Sequence, residues 1–288
     1  MNENKFSTAF QKFAPMESEQ IISTKVQDII KQSFEKNFTA EVLAKIYGCI
    51  DLTTLNSLDT KETVWQMVEQ VNQFEGTCKL PNVAAICVYP VFVETVKQAL
   101  LAKDVKIASV AAGFPSSQTF AEVKIAETAM AVLAGADEID IVLNLGYFME
   151  GAYDEIADEI AEIKDSSRGA TLKVILETGA LVSAIHIQQA TILAMYSGAD
   201  FIKTSTGKGY PGATPEAFYT ICETIKQYEA LTGNKIGVKV SGGIRTAEDA
   251  VRYYTIVDHV LGKEWLNKDL FRIGASSLIA DIAHRFNK

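Results

Sequence analysis

Short apolar runs with an every-second-residue rhythm recur along most of the chain and alternate with longer stretches in which apolar residues return at helical spacing. The strand-like runs fall near 47–52, 83–88, 105–110, 138–143, 171–177, 200–204, 235–240 and 270–274. Helical patterns fill the intervals near 61–74, 91–103, 117–134, 153–167, 183–197, 215–231, 246–254 and 276–286. Several carry their own punctuation. Thr214-Pro215-Glu216 places a capping hydroxyl before a proline at the first helical position, and Thr246 with Asp249 has the spacing of a capping box. Gly135 and Gly198 each stop a helix and are each followed by Ala-Asp and a strand, an echo that marks a repeated strand–helix unit. Eight such units predict an α/β fold, a single closed (β/α)8 TIM barrel, which takes roughly 250 residues. A doubly wound sheet is the competing architecture, but no G-x-G-x-x-G turn follows an early strand.

Residues 1–45 have a different rhythm. Phe6, Phe10 and Phe13 fall on one helical face before Pro15 interrupts, and Ile21, Ile22, Val26, Ile29, Ile30 and Phe34 repeat the helical period. The expected organisation is therefore a helical extension over 1–45, packed on the barrel or between copies of the chain as a homo-oligomer, and a barrel domain over 46–288. The polar face of the extension is not notably basic, which disfavours a membrane-surface role.

The same alternation says which strand residues enter the barrel. Val174 and Leu176 face the helices, so Lys173, Ile175 and Glu177 point inward; Ile236, Val238 and Val240 face out, so Gly237 and Lys239 point in. Phe201 and Lys203 share the inward face of the sixth run, and Asp140 that of the fourth. Barrel interiors are normally filled by branched apolar side chains, so an inward set of Asp140, Lys173, Glu177, Lys203 and Lys239 is not filler. One explanation is a buried ion-pair network that fixes strand register. The other is amine chemistry: a cationic Lys239 disfavours protonation of Lys203, leaving a free amine that attacks a carbonyl, with Asp140 to relay a proton. The position of these groups at the carboxyl ends of strands favours the second.

Backbone makes the next cluster. Gly207-Lys208-Gly209, Gly242-Gly243-Ile244-Arg245 and Gly274-Ala-Ser-Ser277 follow the sixth, seventh and eighth runs. Glycines expose peptide N–H groups, a helix starting near Ser276 points its positive end at an anion, and the last two loops are the usual phosphate site of this fold. A phosphorylated substrate is expected.

Composition narrows the classes. Hydrophobic residues make up 48% of the 288 and charged residues 22%, which excludes a disordered chain, and no apolar run reaches the roughly 18 residues of a membrane span. A net charge of −9 disfavours nucleic acid and anionic membranes but leaves room for a local phosphate pocket. Cys49, Cys78, Cys87 and Cys222 lack paired metal-ligand spacing, and His186, His259 and His284 are equally dispersed, so no metal is expected. The N-terminus, with Glu3, Glu17 and Glu19, matches neither a secretory nor a transit signal, and a reducing cytoplasm is expected.

Taken in order, seven stretches resemble the deoxyribose-phosphate aldolase family. They are Ile50-Asp-Leu-Thr-Thr-Leu55, Ala84-Ala-Ile-Cys-Val-Tyr-Pro90, Gly135-Ala-Asp-Glu-Ile-Asp140, Lys173-Val-Ile-Leu-Glu-Thr-Gly179, Ala199-Asp-Phe-Ile-Lys-Thr-Ser-Thr-Gly-Lys208, Gly242-Gly-Ile-Arg-Thr-Ala-Glu-Asp249 and Gly274-Ala-Ser-Ser-Leu278. The resemblance implies a class I aldolase of nucleoside catabolism, without metal or cofactor. Such an enzyme reversibly cleaves 2-deoxy-D-ribose 5-phosphate to D-glyceraldehyde 3-phosphate and acetaldehyde. It implies Lys203 as the Schiff-base lysine, Lys239 as the residue that tunes it, and Asp140 as the proton shuttle. It further implies Asp51 and Thr54 against the substrate hydroxyls or one layer behind, and Cys87 near the acetaldehyde-derived carbons. The phosphate would rest on Gly207, Lys208, Gly242, Gly243, Gly274, Ser276 and Ser277. Another Schiff-base phosphosugar aldolase and a catalytically silent phosphosugar-binding barrel are the alternatives.

Overall fold

The computed structural model describes residues 5–75 and 79–286; Glu3 and Cys78 lie outside them. Three helices come first, α1 (Lys5–Phe10), α2 (Glu19–Asn37) and α3 (Ala40–Gly48). Helix α3 runs across residue 45 and takes in Tyr47 and Gly48, so the first strand begins at Ile50 rather than at 47. Its N-cap is Thr39, whose side chain accepts from the Val42 N–H.

Eight parallel strands then close a barrel in sequence order: β1 (Ile50–Thr53), β2 (Ala85–Val88), β3 (Lys106–Val110), β4 (Glu138–Val142), β5 (Thr171–Ile175), β6 (Phe201–Lys203), β7 (Gly237–Ser241) and β8 (Phe271–Ala275). Pairing of β8 with β1, Ile273 opposite Ile50 and Gly274 opposite Asp51, completes the ring. The connecting helices are α4 (Lys61–Phe74), α5 (Val93–Ala99), α6 (Ala121–Ala134), α7 (Leu145–Glu150), α8 (Tyr153–Ser166), α9 (Thr178–Leu181), α10 (Ala184–Tyr196), α11 (Pro215–Thr232), α12 (Ala247–Val260) and α13 (Leu278–Phe286). Short α7 and α9 interrupt the loops after β4 and β5, and the alternation pattern does not announce them. They hold too few turns to display a helical period.

Local signals explain where the elements stop and start. Thr214 accepts from the Ala217 N–H with Pro215 at the first helical position, and Thr246 and Asp249 make a reciprocal capping box. The Gly-Ala-Asp echo has a mechanical role. Asp137 and Asp200 each use a backbone N–H to bond the preceding strand, at Ile107 and Leu172, and each carboxylate accepts the N–H of that same residue. One carboxylate per unit therefore pins the register at the amino ends of β3 and β5.

The main core lies between barrel and helices, where Ile139, Ile141, Leu172, Val174, Val238 and Val240 meet the helical faces. Helix α2 packs on α11 and α12 through Ile22, Val26 and Ile29. Polar contacts hold its end and the segment before it: Asn37 donates to Thr255 at 3.2 Å, and the Gln188 amide donates to the Ala14 carbonyl at 2.8 Å. The phenylalanines of the first segment dock edge-on, Phe10 on Tyr153 and Phe13 on Tyr196.

Candidate active site

Parity delivers the inward charges and register sets their height. Lys203 on β6 stands opposite Lys239 on β7, and Asp140 on β4 opposite Lys173 on β5. The three amines converge on one carboxylate. Asp140 Oδ1 accepts from Lys173 Nζ at 2.8 Å, while Oδ2 accepts from Lys203 Nζ at 2.8 Å and Lys239 Nζ at 2.9 Å. Asp51, on β1, pairs with Lys239 at 2.5 Å. Lys203 is only 3% exposed and Asp140 fully buried.

A lower layer supports this one. Arg272 on β8 binds Asp51 at 2.7 Å and Glu138 at 2.8 Å, and Glu138 also pairs with Lys173 at 2.6 Å. The Arg272 Nε donates to the Lys268 carbonyl, and its guanidinium lies 5.8 Å from the centre of the Phe201 ring. Two glycines make the room. A Cβ at Gly237 would fall 2.4 Å from the Phe201 ring, and one at Gly274 would fall 2.9 Å from Ser241 Cβ and 3.2 Å from Lys239 Cε. Neither inward position tolerates a side chain without displacing the charged groups or the ring beneath them.

The electrostatics separate the two lysines. Burial pushes the Lys203 ammonium below its ordinary value, and the Lys239 charge adds to that against the pull of Asp140. Burial also works against a charged Lys239, but Asp140 and Asp51 together overcome it and hold this amine above its ordinary value. Burial alone would raise Asp140; the three ammonium groups instead hold it well below the usual carboxylate range. The two amines are thus pushed in opposite directions, Lys203 down and Lys239 up.

Above Lys203 lies a cavity of about 240 Å³ lined by Thr206, Gly207, Lys208, Ser241, Gly242, Gly243, Ile244, Arg245, Gly274 and Ser276, with Thr53, Leu55, Asn56 and Ala275 completing the wall. Gly207, Gly242 and Gly243 all have positive φ, 76°, 91° and 88°, which turns their peptides into the loop conformations that line it. The Lys208 N–H is already bonded to Thr206 Oγ1 at 2.9 Å. Beside the amines, Leu55, Ala85, Cys87, Ala108 and Val110 form a separate apolar patch inside the barrel, extended by Tyr89 and Phe114. Burial pushes the Cys87 thiol up, as expected of a small packed group.

A family model described as DeoC/LacD family aldolase matches residues 46–281. The chain belongs to the DeoC/LacD aldolase family. It is 39% identical over 263 residues to the deoxyribose-phosphate aldolase of Bos taurus, covering 88% of this chain and 83% of that one. The Mus musculus protein of the same name gives the same identity and coverage. Among solved structures, the aldolase resembles the tetrameric deoxyribose phosphate aldolase of Aeropyrum pernix with a TM-score of 0.67 and 27% identity, covering 91% of this chain and 98% of that one.

Not every residue singled out in the sequence joins the aldolase site. Glu177 does not enter the lysine network. The strand ends at Ile175, Glu177 has φ 55°, and its carboxylate accepts the Thr206 N–H and hydroxyl. It braces the loop after β6, and burial raises its carboxyl. Thr54 sends its hydroxyl to the Asp59 carboxylate at 2.8 Å, and its neighbours Thr53 and Leu55 line the cavity in its place. Ser276 and Ser277 are both exposed just before α13, and of the two Ser276 lines the cavity. Glu138, Arg272 and Arg245 carry charge into the site without having been singled out as site residues. Glu138 and Arg272 stand two positions before Asp140 and Gly274, so the same parity that found Asp140 points to both.

Proposed function

We propose that this aldolase reversibly cleaves 2-deoxy-D-ribose 5-phosphate to D-glyceraldehyde 3-phosphate and acetaldehyde. The observation that carries the reading is the pair Lys203 and Lys239 on one Asp140 oxygen, beneath a glycine-lined cavity with two cations at its rim. Neutral Lys203 attacks C1 of the open-chain aldehyde, and loss of water leaves the imine. Removal of the C3 hydroxyl proton breaks the C2–C3 bond, releases glyceraldehyde 3-phosphate and leaves the C1–C2 fragment as an enamine on Lys203. Protonation at C2 and hydrolysis of the imine return acetaldehyde and the free amine. Asp140, acting through water, holds and returns the proton, and Lys239 stays charged throughout.

In this reading the phosphate rests on Gly207, Lys208, Gly242, Gly243, Gly274 and Ser276, with Arg245 adding charge. The two-carbon fragment lies against Cys87 and Leu55. Residues 46–288 act as the catalytic domain and 1–45 as a helical extension, a division supported by a family model that begins at residue 46. The tetrameric A. pernix relative supports assembly of this chain into a homo-oligomer, which light scattering tests.

The function is tested by exposing the protein to acetaldehyde and borohydride, then mapping the adduct. A single ethyl group on Lys203 is expected. Labelling of Lys239 instead would exchange the roles of the two amines, and no specific adduct would overturn the mechanism.

A further inference from the structure

Seven ionisable side chains form one continuous cluster inside the barrel, and each is buried. The anions are Asp51, Glu138 and Asp140; the cations, when protonated, are Lys173, Lys203, Lys239 and Arg272. Three negative charges therefore face four positive ones. The contacts are unequal. Lys173 reaches all three carboxylates, Lys239 reaches Asp51 and Asp140, and Arg272 reaches Asp51 and Glu138. Lys203 reaches Asp140 alone, through an oxygen it shares with Lys239.

We propose that Arg272 is a positioning residue for the aldol reaction, supplying the third cation that neutralises Asp51, Glu138 and Asp140 so that the cluster is electrically balanced when Lys203 is the free amine. The proposal rests on Lys203 as the nucleophile. Arginine suits this task because its guanidinium does not lose a proton in proteins, whereas a lysine in a buried site does so readily. A lysine at 272 would also lose the geometry by which one planar group binds Glu138 through both Nη atoms while reaching Asp51. With Arg272, Lys239 and Lys173 charged, a proton on Lys203 is the one surplus charge in the buried cluster, and it is the proton whose removal restores balance.

The other walls add no further ion pair to the cluster. From β2 the cluster meets the Cys87 thiol, which burial keeps protonated, and from β3 the apolar Ala108 and Val110. Glu177, after β5, is bonded to Thr206 and makes no ion pair among the described residues; its carboxylate and Lys203 act on each other at longer range, a background that is the same in every variant compared. Lys208 and Arg245 line the cavity above, where the substrate phosphate would meet them.

Charge balance predicts opposite effects for opposite substitutions, which a purely structural role does not. The readout is the pH dependence of borohydride-trapped ethylation of Lys203 by acetaldehyde. Arg272→Met leaves two cations against three anions, so Lys203 retains its proton and the midpoint moves up by about one pH unit, roughly tenfold slower labelling below both midpoints. Glu138→Gln, a near-isosteric change, leaves a surplus cation and moves the midpoint down. The double variant Arg272→Met with Glu138→Gln has two of each and returns toward the parent midpoint. Arg272→Lys, which offers an ammonium without the two-pronged contact, moves the midpoint up by less than Arg272→Met does. A midpoint that moves the same way in both single variants, or a double variant displaced as far as Arg272→Met, overturns the role of Arg272. Should Arg272→Met fail to fold, an unmoved midpoint in Glu138→Gln overturns it alone. Absence of any Lys203 adduct in the parent protein would instead remove the nucleophile assignment beneath the proposal.

Discussion

Lys203 and Lys239 face each other across adjacent strands and place their nitrogens 2.8 and 2.9 Å from the same oxygen of Asp140. Two like charges so close to one acceptor are not equivalent, because Lys239 has Asp51 as a second partner and Lys203 has none. The asymmetry makes loss of a proton easier from Lys203 than from Lys239.

Replacing Lys239 with Leu removes the charge that disfavours protonation of Lys203. The expected result is a kcat lowered by about 10²–10³-fold at neutral pH, with partial recovery in more alkaline buffer. A pH–rate profile checks it; a profile unchanged in shape would mean that Lys239 does not set the state of Lys203.

Asp140→Leu takes from Lys203 its one carboxylate partner and from Lys173 and Lys239 one partner each. Exchange of solvent deuterium into the methyl group of acetaldehyde is expected to cease, and the fold is expected to lose about 3–5 kcal/mol, typical of one partner removed from a buried ionic group. Proton NMR of the acetaldehyde methyl and a denaturant titration measure the two effects. Near-normal turnover would end the assignment of Asp140.

Acid should unfold the protein through this site. Asp140 and Asp51 are held below their ordinary value of 3.8, so the unfolded chain binds more protons than the native one as the pH falls past that value. Their contribution is complete above about pH 4 and is lost progressively as the pH falls through their lower native values. Lys173 and Lys239, raised above 10.5, give a contribution that is complete below that value and is lost as pH rises through their native values. Lys203 has the opposite sign: its lowered value is a cost at neutral pH that is relieved as pH rises toward 10.5. Chemical denaturation across the acid range is expected to show a plateau followed by a steep decline, and Asp140→Asn should make that decline shallower.

Gly274→Ala and Gly237→Ala place the same methyl group in different layers. Each is expected to destabilise by about 1–3 kcal/mol through overpacking. The Gly274 methyl meets Lys239 Cε and Ser241 Cβ, so kcat falls as well; the Gly237 methyl meets the Phe201 ring, so the effect is mainly on stability. Thermal melts with steady-state kinetics separate the two patterns.

Amine chemistry needs no metal, so prolonged dialysis against a chelator should leave turnover unchanged. Loss of activity that zinc or magnesium restores would point to a different aldol mechanism.

The strand rhythm alone made the barrel and the charged groups inside it legible. Residues at period two enter the interior whatever the tilt of the strand, so Asp140, Lys173, Lys203 and Lys239 were readable one strand at a time. Height within the barrel was not, because it depends on the stagger between neighbouring strands; the contact of Arg272 with Glu138, across half the ring, appears only when the barrel closes. Parity also fails where a strand ends. Glu177 lies two residues past Ile175 with φ 55°, so its inward assignment extended a rule beyond the backbone that obeys it. Thr54 and Ser277 sit in loops past strand ends, where the side chain follows loop geometry and an immediate neighbour takes the place in the cavity.

The docking of α2 has a consequence for how the chain is made. Its apolar stripe, Ile22, Val26 and Ile29, is covered by α11 and α12, and Asn37 finds its partner 218 residues later at Thr255. β1 likewise waits for β8 before its second edge is paired. During synthesis α2 and β1 therefore leave the ribosome long before their neighbours exist, and they carry exposed apolar surface until nearly the whole barrel has emerged. Ribosome-bound chains stopped short of α12 should remain sensitive to protease within α2, and release of full-length chains should abolish that sensitivity in the same step that closes the ring.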